Sequence, residues 1–404
     1  MVERLHNARI LIYSHDSFGL GHLRRCRTIA HALVDRYKGV SVLILSGSPI
    51  IGSFDFRPRV DFVRIPGVIK LTNGEYQSLG LHIKLDQTMA MRAAIIHQTA
   101  ESFRPHLFIV DKEPLGLRGE VAATLRMLKA QGASLVLGLR DIMDESAPLV
   151  REWKRKKVLP ALEHLYDEIW VYGLEGFADP LAGVACPAAV RRKMIYTGYL
   201  RRSVPHLPAA ASPPVRREPY VLVTVGGGDD GTPVVDWVLR AYEQDPDIPL
   251  AAVIVLGPFM APQLQRQFRE RAERLDRIEV VTFDSHVELL MEQAVGMVAM
   301  AGYNTFCEIL SFDKPAILVP RTVPRREQLM RARRAAELGL VRTLEPNHID
   351  DTAMMVSALR GLQQQPRPSE CGSAEMLDGL QVITELAAAH AGGAVSRRSR
   401  VAQA

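Results

Sequence analysis

The chain has 404 residues, 47% hydrophobic, 24% charged and 6% aromatic, an ordinary globular composition that excludes a collagen-like, coiled-coil or wholly disordered protein. At roughly 150 residues per domain, this length predicts two or three domains. The 50 Lys and Arg against 45 Asp and Glu leave a net charge of +5, too thin to imply a nucleic-acid partner.

Cys26, Cys186, Cys307 and Cys371 form no C-x-x-C pair and stand at no metal-ligand spacing, so neither a disulfide framework nor a metal site is expected. The N-terminus does not read as a signal peptide, and the longest apolar stretch, 250–262, is short of the roughly 18 residues a spanning helix needs. A cytoplasmic protein is expected.

Through the first half, short apolar runs at 9–14, 41–46, 60–65, 107–111, 134–139, 168–172 and 194–197 alternate with amphipathic segments. One of these segments puts Cys26, Ile29, Ala30, Leu33 and Val34 on one helical face. Continuous apolar strands between such helices predict a parallel sheet covered on both faces. Pro205, Pro208, Pro213, Pro214 and Pro219 then mark a linker over 203–219, because proline removes backbone donors and extends the chain. The same grammar restarts with strands at 220–225, 250–256, 278–282, 296–300, 316–319 and 340–344. Two successive α/β domains follow, 1–202 and 220–372, then a helix at 373–390 carrying Met376, Leu377, Leu380, Ile383 and Leu386, and a frayed tail at 391–404.

Three loops carry the candidate chemistry. The first strand runs into Ser14-His15-Asp16-Ser17-Phe18-Gly19-Leu20-Gly21-His22, where Gly19 and Gly21 let backbone N–H groups approach a ligand at a helix start. Arg24 occupies the place of a third fingerprint glycine, and 46–49 offers no ribose-binding acid, which argues against a dinucleotide site. His22 has an imidazole suited to accept a proton from a hydroxyl or water. Its alternative role is to hydrogen-bond the loop.

The second loop is Gly226-Gly227-Gly228-Asp229-Asp230-Gly231, a phosphate cradle or a tight turn. Thr232 is expected at the N-cap of the helix that follows, with Pro233 at its first position. The third is Gly302-Tyr303-Asn304-Thr305 at a helix start, with Glu308 one turn in on the face of Asn304. Its amides suit a diphosphate and its carboxylate a ribose diol. A strand and the turn Pro324-Arg325-Arg326-Glu327-Gln328 come next.

The order Gly-x-Asn-Thr-x-x-x-Glu, Lys-Pro-Ala-Ile-Leu-Val-Pro, then Glu-Gln-x-x-x-Ala resembles the C-terminal domain of glycosyltransferase family 28, the MurG-like UDP-sugar transferases. The run Gly-Leu-Gly-His-Leu-Arg-Arg-Cys is similar also to the UDP-sugar hydrolases of pseudaminic acid synthesis. The resemblance implies an α/β protein of GT-B fold, with two Rossmann-like domains facing across a cleft, the first for the acceptor and the second for the donor. It also implies a last helix that crosses back. It assigns the diphosphate to Gly302 to Thr305, the ribose to Glu308, donor hydroxyls to Glu327 and Gln328, the border of the base to Phe283, and catalysis to His22. Gly226, Gly227 and Gly228 are donor candidates as a phosphate-cradling loop, although relatives place a hydroxyl residue at Gly228-Asp229-Asp230.

Asp111, Lys112, Glu113, Arg140 and Asp141 lie at strand exits of the first domain, where open α/β sheets bind ligands. They are acceptor candidates, with Arg140 or Lys112 meeting an anionic group, or else ion-paired among themselves. The basic run 151–158 reads either as a solvated helix face or as a peripheral contact with the inner face of a membrane near a lipid-linked acceptor. Asp245-Pro246-Asp247 precedes a strand and reads as a turn. The expected activity is hexosyl transfer, N-acetylhexosaminyl included, from a UDP-sugar to a hydroxyl acceptor, inverting and without metal or cofactor. Hydrolysis of a nucleotide sugar, or its binding without turnover, are the alternatives.

Overall fold

The computed structural model describes residues 3–16, 20–70, 76–204, 218–227, 230–284 and 286–401; most of the predicted linker, 205–217, lies outside them. The chain divides into two compact units, Met1–Leu200 with Asp378–Ala404, and Arg201–Leu377.

The first unit runs β1 (Glu3–Ser14), α1 (Gly21–Arg36), β2 (Tyr37–Ser46), β3 (Val60–Arg64), β4 (Val68–Lys70), β5 (Tyr76–Ser78), α2 (Leu85–Phe103), β6 (Leu107–Asp111), α3 (Ala122–Ala130), β7 (Ser134–Arg140), α4 (Ser146–Lys156), α5 (Val158–His164), β8 (Glu168–Tyr172), α6 (Ala188–Arg191) and β9 (Met194–Tyr196). Seven strands form one sheet in the order β3-β2-β1-β6-β7-β8-β9, and every neighbouring pair is parallel. All five residues of β6 are buried, as a strand covered on both faces requires. Leu11, Tyr13, Phe108, Val110, Leu135, Leu137 and Ile169 share one core cluster. Each such side chain contributes about 1.5–3 kcal/mol on burial.

The second unit runs β10 (Tyr220–Thr224), α7 (Thr232–Gln244), β11 (Ala251–Val255), α8 (Pro262–Ala272), β12 (Ile278–Val281), α9 (Val287–Gln293), β13 (Gly296–Ala299), α10 (Tyr303–Ser311), β14 (Ala316–Leu318), α11 (Glu327–Glu337), β15 (Arg342–Thr343) and α12 (Thr352–Arg360). Its six-stranded sheet has the order β12-β11-β10-β13-β14-β15, again parallel throughout. In both sheets the first strand of the unit lies in the interior. The order reverses beside it, between β1 and β6 and between β10 and β13.

The last helix, α13 (Gly379–Val401), packs on α1 and β1 of the first unit. Ile383, Thr384 and Ala387 are buried, Arg36 reaches Glu385 at 3.0 Å, and Leu200 bridges Asp378 antiparallel to it. It starts at Gly379 instead of 373, because Gly372 takes a left-handed φ of 86° and 373–376 closes into a 3-10 turn. Its backbone stays helical to Val401, past the tail expected from 391; the alanines at 387–389 and 391 are strong helix formers.

Other differences are local. The antiparallel hairpin of β4 and β5 was not foreseen. β1 begins at Glu3, with a register shift between Arg4 and Ala8 where Asn7 has φ 53°. α7 starts at Thr232 with Gly231 at the cap position, since the Gly231 carbonyl accepts from the Val234 N–H at 3.1 Å. In α4, Leu149 and Trp153 are buried while Arg151, Lys154 and Arg155 face solvent. No helix among the described residues is long and apolar enough to cross a membrane.

Candidate active site

In open α/β sheets, ligands gather at the carboxyl ends of the strands where the order reverses. In the first unit that place lies between the loops after β1 and β6. His15 and Asp16 are buried there; Gly19 lies outside the described residues, and Gly21 is exposed at the start of α1. No residue at Leu20 caps α1. Instead Asp16 accepts the Leu23 N–H at 3.2 Å and the Ser46 hydroxyl at 2.6 Å. Burial pushes the Asp16 carboxyl up to about 6 in spite of these donors.

His22 occupies the first turn of α1, and its Nδ1 makes a short hydrogen bond to Asp111 Oδ2 at the end of β6. Arg25, one turn further along α1, forks onto the same carboxylate, Nε to Oδ1 at 2.8 Å and Nη2 to Oδ2 at 2.7 Å. Burial raises the Asp111 carboxyl, but Arg25 and His22 outweigh it and hold it well below the usual carboxylate range. Burial drives the His22 imidazole down to about 4 against the pull of Asp111. A neutral imidazole donating Nδ1–H to an ionised carboxylate presents its Nε2 lone pair as a base. His15 stands edge-on to His22, ring centres 5.6 Å apart, and burial keeps it well below the ordinary histidine range.

The remaining strand-exit residues are distributed among internal partners. Lys112 has φ 67°, its N–H donating to the Gly138 carbonyl at 2.7 Å. Glu113 accepts from Lys156 at 2.7 Å. Burial raises its carboxyl, yet His15, Lys112 and Lys156 together bring it down to about 2. Asp141 is fully buried and accepts from the Tyr199 hydroxyl at 3.1 Å and the Ile142 N–H at 2.8 Å, while Arg140 is half-buried at the end of β7. A cavity of about 550 Å³ opens beside this cluster, with His15, Tyr76, Glu113, Leu117, Arg155 and Lys156 in its wall. That volume suits a small-molecule ligand.

In the second unit the corresponding loops follow β10 and β13. Gly226 has φ 64°; Gly228 lies outside the described residues. Gly257, after β11, has φ 88°, and a Cβ there would stand 2.6 Å from the Gly227 carbonyl carbon. Phe259 N–H donates to that carbonyl at 2.9 Å. Gly226–Gly227 is therefore a turn pinned by its neighbour, and no sequence motif marks Gly257 as part of it.

Gly302 stands in extended conformation ahead of α10, and its carbonyl accepts from the Phe306 N–H at 2.9 Å, so the first amides of α10 point out of its N-terminus with Thr305 among them. Asn304 Oδ1 accepts from Arg202 at 2.8 Å, and Glu308 on the same face is fully buried. Phe283 is half-buried just past β12. After β14, Arg321 donates to Glu327 at 2.7 Å and pairs with Asp230 at 3.2 Å, and its N–H donates to Gln328 at 3.3 Å. This arginine ties the glycine loop to the start of α11, bringing Asp230, Glu327 and Gln328 together.

Residues 220–383 match the glycosyltransferase family 28 C-terminal domain. The fold is that of the GT-B glycosyltransferases. Solved structures similar to it over nearly the whole length include the glycotransferase of kitacinnamycin, at TM-score 0.60 and 16% identity over 99% of each chain. SnogD from Streptomyces nogalater matches at 0.55 and 15%, over 96% of this chain and all (100%) of that one. Acinetobacter baumannii MurG matches at 0.56 and 12%, over 94% and 98%. Among curated protein sequences none matches. The matched region begins at β10, and the His22–Asp111 pair belongs to the other unit.

Proposed function

We propose that the protein transfers a hexosyl group, N-acetylhexosaminyl included, from a UDP-sugar to a hydroxyl acceptor, with inversion and without a metal. The hydrogen bond from His22 to the ionised, buried Asp111 carries the reading. It holds the imidazole in the tautomer that takes a proton through Nε2.

His22 removes the acceptor hydroxyl proton as the oxygen attacks the anomeric carbon from the face opposite the diphosphate. The carbon–oxygen bond to the diphosphate breaks, UDP leaves with the electron pair, and Asp111 supports the imidazolium that forms. The reading assigns the departing charge to the N-terminal amides of α10 and the loop at Gly226–Gly227, where a helix dipole favours an anion. Glu308 recognises the ribose, Glu327 and Gln328 the sugar hydroxyls, and Phe283 borders the base.

Thermal unfolding with UDP, other nucleoside diphosphates and UDP-sugars tests the donor, because a ligand of the native state alone raises its stability. UDP and at least one UDP-sugar should raise Tm; no shift from any of them removes the reading. Release of UDP from the stabilising sugar, with and without an acceptor panel, then separates transfer from hydrolysis. Free sugar formed in water alone and abolished in His22→Ala would make the protein a hydrolase.

A further inference from the structure

The base assigned to His22 sits in a buried group of four charges and rings, of which the proposed mechanism uses two. Arg25 is 2% exposed at its side chain, as is Asp111. Its Nε and Nη2 cover both oxygens of Asp111, at 2.8 and 2.7 Å, and the same Nη2 lies 3.0 Å from His22 Nδ1. His22 and Arg25 are three residues apart on α1, so one helical turn aims both at the exit of β6.

We propose that Arg25 is a positioning residue for the His22 base: its fork locks Asp111 in the one rotation that accepts Nδ1–H, and its charge adds to burial in opposing protonation of the imidazole. The proposal rests on the reading of His22 as base, but its physical core concerns the resting protein. A bidentate guanidinium–carboxylate pair fixes the plane of the carboxylate, which a single hydrogen bond does not. With both oxygens held, Oδ2 is committed to the imidazole. Protonation of His22 would then place a second cation 3.0 Å from Nη2, an unfavourable pairing in a buried site. The other groups facing the ring are Lys112 after β6, which also opposes its protonation, and neutral His15 from the loop after β1. Arg25 thus removes the rotated carboxylate and disfavours the imidazolium further.

The test is side-chain nitrogen NMR of the full-length protein across pH, with the His22 signal assigned by its loss in His22→Gln, alongside steady-state kinetics. In the parent, His22 should be neutral at pH 7 with the proton on Nδ1. In Arg25→Gln the titration midpoint should rise by about one unit or more, since a neighbouring cation is removed and Asp111 remains. The acid limb of kcat/KM should move up with it. Arg25→Lys keeps the charge and loses the fork, so the midpoint should return towards the parent value. Its tautomers should become mixed, and kcat should fall about tenfold or more at unchanged donor KM.

A folded Arg25→Gln protein with the parent's midpoint and tautomer would overturn the proposal, as would equal midpoints in the two variants. Should Arg25→Gln fail to unfold cooperatively, Arg25→Lys decides: an undisturbed tautomer and kcat would equally overturn it. A His22→Ala protein that kept its turnover would instead sink the base assignment while leaving the titration result intact.

Discussion

Asp111 meets His22 across 89 residues of sequence, joining the end of β6 to the first turn of α1 beside the point where the sheet order reverses. The imidazole depends on this carboxylate for its tautomer. Replacement of Asp111 by Asn should therefore lower kcat about 10²- to 10⁴-fold with little change in UDP affinity. Stopped assays of UDP release and calorimetric titration with UDP report the two quantities separately. Equal loss in both would make the pair a structural element.

Glu308 is fully buried on the same face of α10 as Asn304. If it accepts the ribose hydroxyls, Glu308→Ala removes charge-assisted hydrogen bonds of about 1.5–3 kcal/mol, weakening UDP roughly 10- to 100-fold. A variant that binds UDP as tightly as the parent would take the ribose away from this residue.

Gly257 approaches Gly227 so closely that an added Cβ meets backbone, and its φ of 88° is left-handed. Alanine there has neither room nor conformation, so Gly257→Ala should cost about 2 kcal/mol or more and distort the loop at Gly226. Lower Tm together with lost UDP binding is the expected outcome. Unchanged values would show that the loop is free to move away.

Asp16 supplies a pH signature. Burial raises its native carboxyl to about 6 from 3.8, so between these values the folded protein binds more protons than the unfolded chain. Its contribution then falls as pH rises from about 4 to 6, by up to about 3 kcal/mol. Asp16→Asn should not share that decline, and denaturant unfolding of both proteins at pH 4, 5, 6 and 7 measures the difference. Parallel profiles would contradict the shift.

The strands were legible because each is a short, continuous apolar run, and 107–111 and 168–172 match β6 and β8 to the residue. The alternation with amphipathic segments was enough for two parallel sheets. Boundaries at polar ends were not legible: β1 reaches back to Glu3 through a register shift that no apolar pattern marks. His22 and Glu308 stood out by local motif, whereas Arg25 looked like one of several basic residues on an amphipathic helix. Its role comes from a carboxylate 86 residues away, and pairings of that range depend on which strands become neighbours. Gly257 was hidden for the same reason. Asp111 was visible as a strand-exit residue, but not its commitment to His22.

The return of the chain to the first unit, where Leu200 bridges Asp378, makes the second unit an insertion between the sheet of the first and its last helix. During synthesis the first unit waits for α13 before α1 is covered, so its completion follows translation of the whole second unit. Deleting the sequence after Leu377 should expose the apolar side of α1 and make that half prone to aggregation. Joining Leu200 to Asp378 with a short turn should instead yield an independently expressible half.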